Sequence, residues 1–192
     1  MVSDERQDRW QRRYQQAVAT SVSACGVLAE NAFLLPKQGR ALDLACGRGG
    51  NALLLARQGL DVEAWDYAPA AIEALRRQAR SEALSLDAVL RDVEQEPPEP
   101  ASFDVITVSY FLERAIVPGL VRALRPGGLI FYETWLGEAI DDSGPGNPDF
   151  RLGVNELLDL FGELQLLFYQ EHARVGDHSQ GLRNIARLVA RS

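Results

Sequence analysis

The stretch "ALDLACGRGGN", residues 41–51, sets an acid inside an apolar run and follows it with three glycines. Ala41, Leu42, Leu44 and Ala45 read as a short buried strand, yet Asp43 sits among them. Gly47 permits a tight turn with unusual dihedrals, and Gly49 lets the backbone approach a ligand closely. The pattern Gly47-x-Gly49-Gly50 has Ala52 in its sixth position, so it meets the dinucleotide fingerprint only in its relaxed form. Such a loop is common to many nucleotide sites. The acid before it is the feature to explain.

Outward from this stretch the chain alternates between strands and helices. Residues 40–46 predict a first strand and 49–58 a helix closed by Gly59. "DVEAWD" (61–66) is a second strand, and a helix over 69–83 opens at Pro69. Strands follow over 84–90 and 103–110, separated by an acidic, proline-rich loop. The segment 112–124 is helical, broken and restarted at Pro118. "RPGGLIFYETW" (125–135) turns into a fifth strand, and 136–150 is too rich in Gly, Pro and Asp for regular structure. A helix over 153–164 and strands over 165–172 and 183–192 complete the pattern, the last two with no room for a helix between them. This order predicts an α/β fold: a doubly wound, mostly parallel seven-stranded sheet with an antiparallel edge hairpin. Residues 4–19 and 21–33 read as helices ahead of the sheet. The 192 residues thus make one domain, with 1–35 as an N-terminal helical cap.

Composition narrows the partners. With net charge −7 the chain lacks the basic face that a nucleic acid demands. No apolar run approaches the ~20 residues of a membrane span, and "MVSDERQDRWQRRYQQ" has no apolar signal core. Two cysteines, Cys25 and Cys46, give neither a disulfide framework nor a metal site. The expectation is a cytoplasmic enzyme, monomer or homodimer, acting on a small molecule without nucleic acid, membrane or metal.

In a doubly wound sheet, ligands bind at the carboxyl ends of the strands. Asp66 ends the second strand 19 residues after Gly47, where an acid reaches the two hydroxyls of a ribose. Its structural alternative is a cap for the helix at Pro69. Asp92, after the third strand, suits an adenine amino group. A diphosphate would be repelled by Asp43, whereas an ammonium and a sulfonium would be attracted. The opening acid therefore points to S-adenosylmethionine, although donors around the glycine turn would also satisfy it. Ala45, Asn51, Tyr67, Val93 and Ser109 complete the candidate cofactor set within the sheet.

The run "LDLACGRGGNALLLARQGLDVEAWDYAPAAIEAL" resembles the cofactor-binding half of class I S-adenosylmethionine-dependent methyltransferases, and "LRPGGLIFYET" resembles their turn into the fifth strand. The closer likeness, over roughly residues 40–191, is to the small tellurite-resistance-type methyltransferases. "DRWQRRYQ" is similar to the segment preceding the domain in many relatives. The resemblance implies that Trp10, Arg13 and Tyr14 fold over the cofactor. It also implies a His-Arg substrate pair before the last strand; His178 matches the histidine, but Ser179 stands for the arginine. That departure weakens an oxyanion reading unless Arg174 or Arg183 compensates.

The implied reaction moves a methyl group to a small acceptor, a chalcogen being one class. Chalcogen nucleophiles need no general base; for oxygen or nitrogen acceptors, Tyr110 and Glu133 are the candidates. Cys46 reads as buried filler. Two alternatives use the same glycines. A nicotinamide-dependent oxidoreductase would have to tolerate Asp43, and the only lysine, Lys37, precedes the sheet. A non-catalytic S-adenosylmethionine-binding module would keep the pocket without an acceptor site.

Overall fold

The computed structural model describes residues 22–192. The expected helix over 4–19, with Trp10, Arg13 and Tyr14, lies outside the described residues. At the centre, β1 (Arg40–Leu44) pairs in parallel with β2 (Asp61–Asp66) and with β4 (Phe103–Ser109). β3 (Asp87–Leu90) extends one side, and β5 (Leu124–Trp135) the other. β7 (Ile185–Arg191) inserts antiparallel between β5 and β6 (Gln165–Gln170), leaving β6 at the edge. The seven strands stand in the order β3-β2-β1-β4-β5-β7-β6. Strand order reverses between β1 and β4, so their carboxyl ends frame the ligand crevice.

Alternation along each strand sends apolar side chains into two cores, one on each face. Leu42 and Leu44 join Phe103, Ile106 and Tyr132 on one side. Ala41 joins Val62, Val105 and Phe131 on the other, beneath α2 (Gly50–Arg57) and α3 (Pro69–Ser81). Asp43 shares the side of Ala41, so its carboxylate faces the start of α2 and not a purely apolar layer.

Several elements are shorter than the periodicity predicts, each for a local reason. β1 stops at Leu44 because Ala45 takes φ +54, and β7 starts after Asn184 at φ +62. The expected 21–33 helix resolves into α1 (Gly26–Glu30) and a 3₁₀ turn, Ala32–Leu34. The 112–124 helix becomes a 3₁₀ turn, Arg114–Ile116, and α4 (Val117–Ala123), with Pro118 in the first turn of α4. The 153–164 helix contracts to α5 (Glu156–Leu160), preceded by Asn155 at φ +60. Apolar spacing continues past these points, but the backbone does not.

The loop after β5 lacks regular structure apart from a 3₁₀ turn, Pro148–Phe150, yet it is fastened. The Arg151 guanidinium donates to the carbonyls of Leu136 (2.8 Å), Ser143 (2.6 Å) and Pro145 (2.8 Å). Across the crevice edge, Asn184 holds the same loop through the Ile140 amide, Asp141 and Ser143. Among the described residues no helix is long and apolar enough to cross a membrane.

Candidate active site

The glycine turn is built from three successive departures to positive φ: Ala45 at +54, Gly47 at +53 and Gly49 at +78. An alanine there is strained, which fits a segment whose path is dictated by its surroundings. One expectation is extended by packing. The open side of Gly49 is filled by the Leu75 side chain of α3, and that of Gly50 by the Ser23 carbonyl. Gly49 therefore also serves backbone conformation and helix packing, since a side chain there would meet Leu75.

Asp43 is fully buried. One oxygen accepts from the Ala52 amide (3.0 Å), and the other from Asn51 Nδ2 (3.2 Å) and Thr107 Oγ1 (3.1 Å). Burial pushes its carboxyl up to about 6, against the pull of these donors. Asn51 also donates to Ser109 Oγ (3.0 Å) and accepts from the Cys25 amide (2.9 Å). Asp43, Asn51 and Ser109 thus form one connected network behind the glycine turn. The helix amide of Ala52 is already spent on Asp43. A diphosphate seated at this helix start would meet a carboxylate where it needs a donor.

Asp66 is buried as well. Its carboxylate accepts from the Gly47 amide (2.8 Å) and the Ala68 amide (2.9 Å), tying the end of β2 to the glycine turn. Burial raises its pKa, and its backbone donors at Ala68, Gly47 and Tyr67 act in the opposite sense. α3 has no side-chain N-cap, so Asp66 shapes the approach to the helix without capping it. Asp92 turns the chain after β3, accepting from the Glu94 amide (3.0 Å), with Val93 buried beside it. Cys46 is buried, and burial raises its thiol pKa, as filler requires.

On the acceptor side, Tyr110 follows Ser109 at φ +55 and is 46% exposed. Its ring leans on Trp135, with centroids 5.3 Å apart, and its hydroxyl donates to Glu133 Oε1 (2.6 Å). Glu133 is fully buried; its second carboxylate oxygen accepts from Arg187 Nε (2.7 Å) and from the Val27 amide (2.9 Å). Arg187 also pairs with Glu30 at 3.0 Å. Glu133 holds three donors and cannot meet a substrate directly, so the expected base is a buried ion-pair partner instead. Burial and the Glu133 hydrogen bond push the Tyr110 phenol above its ordinary range. It stays protonated at neutral pH.

The turn before β7 places its cations elsewhere than the oxyanion reading needs. Arg174 donates to the Ala139 carbonyl, and Arg183 to the carbonyls of Ala173, Val175, Asp177 and Gln180. His178 is exposed and bonds the Arg174 carbonyl at 2.7 Å. Neither arginine is left to replace the one missing at Ser179. A groove of about 380 Å³ near Pro126, Gln165 and Arg191 lies at the opposite, amino edge of the sheet and is unconnected with this chemistry.

Thr107, Arg187 and Glu30 were beyond the sequence argument. Thr107 left a trace, a hydroxyl inside the apolar "FDVITVSY", and it stands in register with Asp43. Arg187 is brought to Glu133 by the β5–β7 register, which no local pattern encodes.

Residues 41–128 match a family model described as a methyltransferase domain. The chain is 42% identical over 100 residues to a ubiquinone biosynthesis O-methyltransferase of Methylocella silvestris, covering 50% of this chain and 39% of that protein. It is 28% identical over 138 residues to the probable S-adenosyl-L-methionine-dependent methyltransferase TehB of Haemophilus influenzae, covering 69% of this chain and 48% of that protein. The crystal structure of that TehB superposes with a TM-score of 0.73 at 23% identity, over 97% of this chain and 66% of the other. A further structure, described as "Conversion of a Disulfide Bond into a Thioacetal Group during Echinomycin Biosynthesis", gives a TM-score of 0.64 at 26% identity, over 86% and 79% of the two chains. The chain spans less than half the length of these two curated relatives. The methyltransferase domain implies S-adenosylmethionine as cofactor, in keeping with the buried acids at the glycine turn. Residues 41–128 match a methyltransferase domain, and the chain as a whole resembles the class I S-adenosylmethionine-dependent methyltransferases, TehB among them.

Proposed function

We propose that this protein is an enzyme transferring the methyl group of S-adenosylmethionine to a small-molecule acceptor, with a soft chalcogen nucleophile favoured. The observation that carries it is the Asp43 carboxylate bonded to the Ala52 amide at the start of α2. That arrangement suits a ligand bearing positive charge and opposes the diphosphate of the nicotinamide alternative. Asp43, buried under its own three donors, would act on the amino-acid end of the cofactor through its charge and by positioning Asn51 rather than by direct contact, with Asp66 serving the ribose and Asp92 with Val93 the adenine. The bound cofactor supplies an electrophilic methyl group on a good leaving group. The protein then has to align a nucleophile behind that methyl and exclude water.

The acceptor class follows from what the residues do not offer. Glu133 is buried under three donors, and Tyr110 is held protonated. With neither group ready to take a proton, an acceptor that needs no base is favoured over an alcohol. The sulfur chemistry named for the echinomycin structure supports the same class. Calorimetry is the direct test. S-adenosylhomocysteine should bind and raise the melting temperature by mass action, while NAD should not. Tighter binding of NAD would overturn the cofactor assignment. Tight S-adenosylhomocysteine binding with no turnover across a broad acceptor panel would favour the non-catalytic module.

A further inference from the structure

Arg187, Glu133 and Tyr110 form a chain of contacts from α1 to the acceptor side of the crevice. The Arg187 guanidinium lies flat against Gly26, filling the space where a side chain there would stand, and bonds both Glu30 oxygens at 3.0 Å. Its Nε donates to Glu133, and Glu133 accepts a hydrogen bond from the Tyr110 hydroxyl at 2.6 Å. The Arg187 side chain is only 11% exposed, so this pair is set in a dry environment and oriented on both sides. A phenol that donates its one proton to a buried carboxylate keeps only lone pairs to offer outward. The exposed part of Tyr110 therefore accepts hydrogen bonds and donates none.

Resting on the methyl-transfer reading above, we propose that Arg187 and Glu133 are positioning residues that fix Tyr110 as a hydrogen-bond acceptor. Tyr110 thereby selects a small thiol carrying a neighbouring O–H or N–H donor. The donor binds the Tyr110 oxygen while the sulfur, as thiolate, attacks the cofactor methyl. The new sulfur–carbon bond forms as the sulfonium–methyl bond breaks, and the thiol proton has already gone to water. The electron pair leaves with S-adenosylhomocysteine, so charge balances with no resident base. Trp135 packs on the Tyr110 ring and leaves no room for a side chain at Gly144, so the loop after β5 is seated directly beside Tyr110.

The test compares 2-mercaptoethanol with propanethiol, two acceptors of similar size that differ in the hydroxyl and in thiol acidity, so kcat/KM is expressed per thiolate present at the assay pH. Turnover is read as S-adenosylhomocysteine formed, and cofactor binding is measured separately by calorimetry. The wild-type protein should prefer 2-mercaptoethanol roughly tenfold in kcat/KM, the cost of leaving a polar partner unpaired. Tyr110→Phe should bring that ratio close to one. Arg187→Lys should retain part of the preference, and Arg187→Met should lose it mainly through KM. Because Tyr110 is half-exposed, its phenylalanine variant tests the proposal even if Arg187→Met fails to fold. Undiminished preference in Tyr110→Phe, a wild-type ratio near one, or cofactor binding without turnover of either thiol would each overturn it. Failure to bind S-adenosylhomocysteine at all would instead overturn the methyl-transfer reading itself.

Discussion

Asp43 is where electrostatics and function meet at the residue scale. Its carboxyl titrates near 6 in the folded chain and near 3.8 when unfolded, with burial as the main cause. The unfolded state therefore loses its proton first, so this residue's contribution to stability falls as pH rises from about 4 to about 6 and is constant above. Affinity for a cationic cofactor should run the opposite way, since the ionised form is the attractive one. S-adenosylhomocysteine binding should weaken roughly tenfold between pH 7 and pH 5, and Asp43→Asn should flatten that profile. Calorimetric titrations across this range check both, and an unchanged profile in the variant would assign the dependence to another group. Asp66 calls for a gentler probe, because its carboxylate also holds the Gly47 and Ala68 amides. Asp66→Asn removes the charge and keeps an acceptor for one of the two amides, leaving the other facing the side-chain NH2. It should weaken S-adenosylhomocysteine binding by about 1.5–3 kcal/mol with a smaller change in melting temperature. Equal affinity for variant and wild type would leave Asp66 a turn-shaping residue only.

Whole elements show how far a sequence carries and where it stops. β2, α3 and the parallel core were legible because apolar spacing there runs uninterrupted from Pro69 or to Asp66. Helix lengths near the crevice were not. Asn155, a residue that readily takes left-handed φ, sits before α5 and interrupts the helix where apolar spacing alone predicts continuity. The loop at 136–150 was recognisable as irregular, but its fastening by Arg151 was not, since three carbonyls on one guanidinium is a property of the folded path. In the site, Asp43 and Asp66 stood out as acids at strand ends. Glu133 stood out equally, and only the antiparallel register with Arg187 shows that it is already paired. Arg151→Ala should consequently free the loop while sparing the sheet. Limited proteolysis is expected to cut within 137–147 several times faster than in wild type, with acceptor KM raised and cofactor affinity little changed. Equal cleavage rates would mean that Asn184 and Arg174 secure the loop without Arg151.

At the scale of the molecule, the described N-terminal stretch links the two halves of the crevice. Residues 22–25 cross the start of α2, where the Ser23 carbonyl fills the space beside Gly50 and the Cys25 amide bonds Asn51. α1 then reaches the far side, where the Val27 amide bonds Glu133 and Glu30 pairs with Arg187. One short segment therefore touches both the cofactor network and the acceptor network. Whatever precedes Val22 enters the described fold at the glycine turn, directly beside the groups proposed to hold the cofactor. A role for Trp10, Arg13 and Tyr14 in cofactor binding rests on the resemblance alone and is put to the test by truncation. Removal of residues 1–19 should accordingly lower S-adenosylhomocysteine affinity about tenfold or more and reduce turnover with it, because water would reach the methyl group more freely. The melting temperature without ligand should move far less, since the core residues described, from Ala24 onward, all remain in the truncated chain. A truncated protein with full affinity and full turnover would show that the crevice closes with residues 20–192 alone.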